Sequence, residues 1–580
     1  MTIPRPPAPS FGPYFLEDKS IFFKAAKSDV LVANGLAWVA RSITCSESGS
    51  MAFELEIQPI GRKRTTVLVW PENMTANYLK KVAGRIGMVI HDDKKFAHYL
   101  GMTAAYGDCM DKAPRMLIAN PGWFADGQGF YNGRTPITAK GVDLAEYRFE
   151  PVNRAPVGEH GSLAEWKENI GHLAERNPVI LAVTCIFIAS PFLKGFGLGS
   201  RLVNIYGGKG TGKTLCAQIG ATIWGNGIDP AAGLFSEDPP YLTKFSTTEN
   251  GIELVLAKYS PLALGLDELT EQATKVLGEL LYKIASGSGK HRMTSSMEAA
   301  TTNRWLCTIV ATSEKSVADA VSAGGKSLLG GQADRAIDIP LDSIGVITDF
   351  GDFADFPAVT RHLKHACGEF YGSAGKAIIQ YACDHPDQVK AMIATTQEIE
   401  ERLMPINCGD GERRVVKFLA AAAVAGHIAI AAGVFDCTPE TVEAAVKAVV
   451  GEWWRERGGS LRRVAQFLYA NSADIATVAP KRGLSATAYI YDNIVIIPAA
   501  VFEHEFRDDH NAVLAELMSV NALVREQGKR NKCRFLNNSL YAYVIKFDRL
   551  EPILIELAER DDAVEHQQFD DSVSPTEDET

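Results

Sequence analysis

Eight consecutive residues, Gly207-Gly-Lys-Gly-Thr-Gly-Lys-Thr214, match the pattern GxxxxGK[ST] in full. Such a turn binds phosphate. Gly207, Gly208, Gly210 and Gly212 let the backbone curl until successive N–H groups face phosphate oxygens, with Lys209 and Thr211 completing the turn. Lys213 would neutralise the β- and γ-phosphates, and Thr214 would take one coordination position on a magnesium ion. Leu215 opens the helix whose N-terminus adds a partial positive charge.

A second apolar run, Pro261-Leu-Ala-Leu-Gly-Leu-Asp-Glu268, ends in adjacent carboxylates. Hydrolysis needs a base as well as a phosphate clamp, so Asp267 would hold magnesium through water and Glu268 would polarise the attacking water. A third run, Trp305 to Ala311, ends in Thr312 and Ser313. Either hydroxyl suits a γ-phosphate sensor, and either would serve as a routine helix cap. Arg335 follows a Gly-rich loop and precedes the run Ala336 to Pro340, a placement that suits an arginine reaching a neighbouring subunit's phosphate. The plainer reading pairs it with Asp334 or Asp338 on the surface.

These residues require strands that end at one edge of a sheet. Leu202-Val-Asn-Ile-Tyr206 precedes the glycine turn and Leu215 to Ile219 is helix-like; from there to about Ile339 apolar strands alternate with helices, the pattern of a mostly parallel sheet. Around this core, residues 156–345, the sequence predicts a Pro-rich flexible leader over 1–19 and an N-terminal α+β domain over 20–155. Beyond it come a helical lid over 346–459 and a winged-helix-like domain over 460–550. Residues 551–580 form an acidic tail expected to be disordered. In the winged-helix-like part, a helix over Asn511–Val520 and strands over Ala522–Arg525 and Tyr541–Phe547 surround a basic turn.

The net charge of −11 is misleading, because eight carboxylates fall between Asp561 and Glu579 and the rest of the chain carries about −3. Charge therefore neither excludes nor requires a nucleic-acid partner. The ten cysteines, Cys45 to Cys533, contain no CxxC pair, which leaves no zinc ribbon and fits a reduced, cytoplasmic compartment. Two apolar stretches, Pro178 to Leu193 and Phe418 to Phe435, read as buried helices rather than membrane spans.

The motifs occur in the order of the AAA+ class, and the chain resembles more closely the bacterial domain-of-unknown-function nine-two-seven family. The likeness rests on Gly122-Trp123, Glu165-Trp166, Ala189-Ser-Pro-Phe-Leu193, the glycine turn, Trp224-Gly225, Thr248-Glu-Asn-Gly-Ile-Glu253, Leu266-Asp-Glu-Leu269 and Arg457-Gly-Gly459. The resemblance implies a multidomain α/β chain with a P-loop AAA+ core, akin to MCM-like hexameric helicases of mobile elements and prophages. It implies ATP and Mg2+ as cofactors, DNA (single-stranded in a central pore) as partner, self-association into a hexameric ring and replication proteins as further partners. It also implies Walker A roles for Lys213 and Thr214, Walker B roles for Asp267 and Glu268, and an arginine finger at Arg335. The sequence Ala311-Thr-Ser-Glu314 departs from the Ser-Thr-Gly-Glu type common after the sensor strand, which leaves Thr312 and Ser313 as alternatives.

In ring helicases a hairpin between the Walker B helix and the sensor strand faces the pore. Here that place is filled by residues 287–304, where Lys290 and Arg292 are candidate DNA contacts, against the bland reading of a solvated turn. Lys529, Arg530 and Lys532 in the basic turn Arg525–Arg534 are candidates on a wing, against the same alternative. Arg413 and Arg414 are candidates for a second sensor. A helicase or translocase is the expected function; the competing one is an AAA+ remodelling or defence ATPase that acts on a protein complex without unwinding DNA.

Overall fold

The computed structural model describes residues 10–105, 115–149, 155–231, 238–244, 249–269, 277–289, 303–323, 335–341, 345–405, 410–457, 459–482, 485–507, 510–525, 531–535, 540–555 and 558. They form two compact units, residues 1–449 and 450–580.

The first unit begins with a sheet built around the long strand Val30–Cys45, which pairs with Met51–Pro59 on one side and with Ser20–Phe23 on the other. Alternation puts Leu55 and Ile57 of Met51–Pro59 on one buried face, with Ala52 buried on the other, and the helices Ala76–Ile86 and Asp93–Ala105 supply Leu79, Phe96 and Tyr99 to the core that holds Leu55 and Ile57. Part of the stretch expected as a flexible leader belongs to this sheet. Tyr14, in the strand Tyr14–Glu17, is buried, and its hydroxyl is hydrogen-bonded to His98 Nδ1 at 2.9 Å, so burying this ring offsets the entropy of ordering the strand. The turn-rich stretch after Asn120 closes into a three-stranded antiparallel sheet of Gly122–Phe124, Gly129–Tyr131 and Pro136–Thr138.

The central sheet follows. The helix Pro178–Ala189 (α1) starts at a proline, where the missing N–H costs nothing, and nearly all its residues are buried. Then come Arg201–Tyr206 (β1), Lys213–Ala221 (α2), Thr243–Lys244 (β2), Glu249–Tyr259 (α3), Leu264–Asp267 (β3), Leu277–Ser286 (α4), Thr308–Ser313 (β4), Val317–Ala323 (α5) and Ala336–Pro340 (β5). The strands lie in the order β2-β3-β4-β1-β5, and every pairing is parallel. Leu202, Val203 and Ile205 of β1 are wholly buried, at about 1.5–3 kcal/mol each, as expected of a strand covered on both faces. Gly220 lets α2 lie directly on α1: a Cβ there would fall 2.4 Å from the Phe187 ring.

Among the described residues, six helices from Phe356–Glu369 to Pro439–Arg457 succeed the sheet. Asp410–Ala431 contains a segment, Glu412–Ala431, long and apolar enough to span a bilayer by composition; 72% of its apolar window is buried within the protein. The second unit contains the helices Gly459–Ala470, Ala499–Glu505 and His510–Ser519 and a six-stranded sheet. At its centre Leu540–Lys546 pairs with Ile494–Pro498 on one side and with Leu523–Val524 and Cys533–Phe535 on the other.

Candidate functional site

In an open parallel sheet, ligands meet the carboxyl ends of the strands. At that edge β1 runs into the glycine turn, where Gly210 and Gly212 adopt φ of +81° and +90°, a region that costs a residue with a Cβ free energy. Gly212 is the residue before α2, so the turn delivers the chain directly to the helix N-terminus. Lys213 Nζ donates to the carbonyls of Gly207 at 2.7 Å and Gly208 at 2.5 Å, which holds the ammonium at the mouth of the turn. Thr211 Oγ1 donates to Gly208 O at 3.0 Å. Lys209 stands in solvent, 3.7 Å from Glu314 Oε1. Leu215, included among the binding residues by sequence, points into the core at 2% exposure and offers only its backbone.

One carboxylate organises this edge. Asp267 ends β3 at 6% exposure, and its Oδ1 accepts from Thr312 Oγ1 at 2.7 Å and from Thr214 Oγ1 at 3.2 Å. The Thr312 hydroxyl also accepts the Glu268 amide at 3.2 Å, and the Leu269 amide reaches the Thr312 carbonyl at 2.9 Å. Glu268 has φ of +60°, unusual for a residue with a Cβ, and its side chain is exposed. Thr312 thus clasps the turn that aims the second acid.

Thr312 and Ser313 part ways as neighbours on a strand must. Ser313 Oγ donates to Asn204 Oδ1 at 2.8 Å, or to the Lys315 carbonyl at 2.6 Å; Asn204 Nδ2 donates to Asp338 Oδ1 at 2.6 Å, and Asp338 accepts the Val317 amide at 3.0 Å. This buried chain crosses β4, β1 and β5 and caps α5. Sequence reasoning missed it, although an asparagine inside an apolar strand is itself a signal, since a buried amide needs partners.

Arg335 lies at the opposite edge. Its carbonyl accepts the Leu202 amide at 3.3 Å, and its guanidinium carbon sits 4.6 Å from the centre of the Tyr282 ring. Between its level and the glycine turn run six residues of β1, about 20 Å at the rise of a strand. Arg335 therefore does not converge with Lys213 of its own chain.

Of the candidate DNA contacts, Lys290, Arg292, Lys529 and Arg530 lie outside the described residues. The ends of the first segment do meet: Gly289 N donates to Asn303 O at 2.8 Å and Trp305 N to Gly287 O at 2.9 Å, an antiparallel neck. Beneath it Lys283 and Glu253 form a buried ion pair at 2.9 Å, which sequence reasoning did not anticipate; Glu253 appeared only within a stretch quoted for family likeness. Lys532 is paired with Glu503 and lies 5.6 Å from the Tyr543 ring centre. That hydrogen bond, first among several causes, lowers the Glu503 carboxyl below its ordinary range. Arg413 is bound to Glu400 at 3.1 Å.

A cavity of about 430 Å³ opens at the other end of α2, against Trp224, and its charges are mutually paired: Arg134 with Asp238 at 3.4 Å and Lys376 with Glu159 at 2.9 Å. It is separate from the glycine turn.

Together the sheet and the regions that flank it make a mixed α/β multidomain protein. The active helicase SCCmec type IV Cch superposes with a TM-score of 0.60 at 15% identity, over 94% of this chain and 99% of that one. Residues 27–304 match the model of the family described as Domain of unknown function (DUF927). The match takes in the glycine turn and both acids and ends before Thr312 and Arg335. The A form of the apo C-terminal region of NrS-1 aligns with a TM-score of 0.29 at 11% identity, over 85% of this chain and 94% of that one, too distant to bear on the fold. No curated protein matches the sequence.

Proposed function

We propose that this chain is an ATP-hydrolysing AAA+ motor that assembles into a hexameric ring and moves along or unwinds DNA. The observation that carries the reading is the convergence of the Thr214 and Thr312 hydroxyls on one carboxylate oxygen of Asp267, which lies beside a glycine turn that presents Lys213 and is followed directly by Glu268.

Each group then has a task. The turn's amides and the N-terminus of α2 would hold the β- and γ-phosphates, and the Lys213 ammonium would exchange its two carbonyl partners for phosphate oxygens. The Thr214 hydroxyl and the Asp267 carboxylate, already in contact, fit a magnesium ion, which takes few protein ligands and fills its shell with phosphate and water. Bound there, it would neutralise charge on the β- and γ-phosphates. Glu268, exposed beside them, would accept a proton from the attacking water. Thr312 would hold both acids in register, through its hydroxyl to Asp267 and through the Glu268 amide.

Arg335, about 20 Å from its own glycine turn, suits delivery to the site of an adjacent subunit, and this supports the ring. DNA as the track is supported by likeness to a protein that is itself an active helicase, and by the antiparallel neck of Gly287–Gly289 with Asn303–Trp305. A remodelling ATPase working on a protein complex would share every feature of the nucleotide site. ATP turnover measured with and without single- and double-stranded DNA, beside mass measurement in ATP, separates the two. The motor reading expects DNA to stimulate turnover of a ring. Turnover by a monomer, indifferent to both DNAs, would refute it.

A further inference from the structure

We propose that the buried pair of Glu253 with Lys283 is the seat of the neck formed by Gly287–Gly289 and Asn303–Trp305, and that Glu253 and Gly289 are positioning residues for DNA contact by the segment between them. The proposal rests on the reading of that segment as one that faces the track.

Stability alone does not call for this pair. Lys283 and Glu253 meet at 2.9 Å with side-chain exposures of 9% and 4%, and removing two charges from water offsets most of their attraction, so apolar residues of similar size would hold the two helices as well. What an ion pair adds is register, because each charge fixes where the other must lie. Glu253 stands on α3 and Lys283 on α4, one before and one after β3, the strand that ends in Asp267. The pair therefore closes α3, β3 and α4 into one body. One carboxylate oxygen, Oε1, faces Lys283, and the other, Oε2, faces the neck: a Cβ built on Gly289 would fall 2.7 Å from it. The φ of Gly289 is outside the left-handed region, so the position requires glycine for closeness and not for conformation. On the other limb, Trp305 Nε1 donates at 2.9 Å to the carbonyl of Ile284, the residue after Lys283.

Lys290 follows Gly289 directly in the sequence, and Arg292 comes two residues later. Whatever fixes Gly289 fixes the point from which these cations depart. Because β3 delivers Asp267 and Glu268, the body closed by the pair holds both the acids of the nucleotide site and the root of the DNA-facing segment. A phosphate contact that loads the neck is thereby passed to the acids, through packed elements and not through a flexible linker.

The test compares Gly289→Ala, which sets a methyl group against the carboxylate and leaves the pair in place, with Glu253→Gln, which removes the charge at constant size, in full-length protein under assembly conditions. ATP turnover is followed over a titration of single-stranded DNA, beside thermal melts. Both variants are expected to raise the DNA concentration for half-maximal stimulation by about two- to thirty-fold, the span of such coupling changes, and Gly289→Ala should melt close to the wild type. An unchanged half-maximal concentration in Gly289→Ala would overturn the proposal. So would a fall by one common factor with and without DNA, the mark of a purely structural pair. Should Glu253→Gln fail to fold, Gly289→Ala decides alone. A double variant, Lys290→Ala with Arg292→Ala, is run alongside. If it is stimulated like the wild type, or the wild type is not stimulated at all, the DNA reading has failed and the proposal with it; if it is impaired while Gly289→Ala is normal, only the seat has failed.

Discussion

At the carboxyl edge of the central sheet, Thr214, Asp267 and Thr312 come from three separate segments yet share one carboxylate oxygen, whereas in residues 450–580 the described candidate cation, Lys532, is paired with Glu503 of the same unit. The contrast teaches how little a run of charge says by itself. Solvated cations find partners nearby at small gain, and their sequence pattern is the same whether or not an anion ever binds. A buried carboxylate ringed by hydroxyls has no such cheap explanation, because desolvating it costs free energy that its partners must offset.

Substitutions can break or sharpen this contrast. The largest expected effect is at the far edge of the sheet: Arg335→Ala should lower ATP turnover about 10³-fold or more if it stabilises transferring phosphate in a neighbour. Mixing it with Lys213→Ala protein should restore part of the activity, and no recovery would argue against action between subunits.

Next come the adjacent hydroxyls. Thr312→Val removes a hydrogen bond to an ionised group, worth about 1.5–3 kcal/mol, and should cut turnover by roughly ten- to a hundred-fold, measured in steady state. Ser313→Ala instead opens the chain through Asn204 and Asp338, so denaturant titration should register a loss of about 1–3 kcal/mol, with turnover less affected than in Thr312→Val. Reversed effects would make Ser313 the sensor.

The smallest effect belongs to Lys532. The Glu503 carboxyl has its pKa lowered by this pair, so the pair's stabilisation is present above the ordinary carboxylate range and fades as pH falls through the lowered value. Lys532→Ala should remove that contribution, within about 0.5 kcal/mol because the pair is well exposed, and unfolding curves at neutral and acidic pH would reveal it. A fall in DNA affinity with no change in stability would instead place Lys532 on a phosphate.

Much of the carboxyl edge was readable in the residues. The run Leu202–Tyr206 and the glycine turn carry their conformation in their own types, and Asp267 follows a run that can only be a buried strand. Separation in the chain hid the rest. Nothing local relates Thr312 to Asp267, because parallel strands acquire their register through crossovers. The links from Tyr282 to Arg335 and from Glu253 to Lys283 likewise exist only once α4 packs. The strand over Tyr14–Glu17 escaped notice because the prolines before it suggested an unstructured leader, while the core that buries Tyr14 and its partner His98 lie far along the chain.

Glu268, as the group that activates water, is the residue on which hydrolysis should depend most directly. Glu268→Gln keeps the shape and removes the base, so ATP binding by the purified variant should match the wild type while hydrolysis falls about 10²- to 10⁴-fold. Wild-type hydrolysis by this variant would contradict the account.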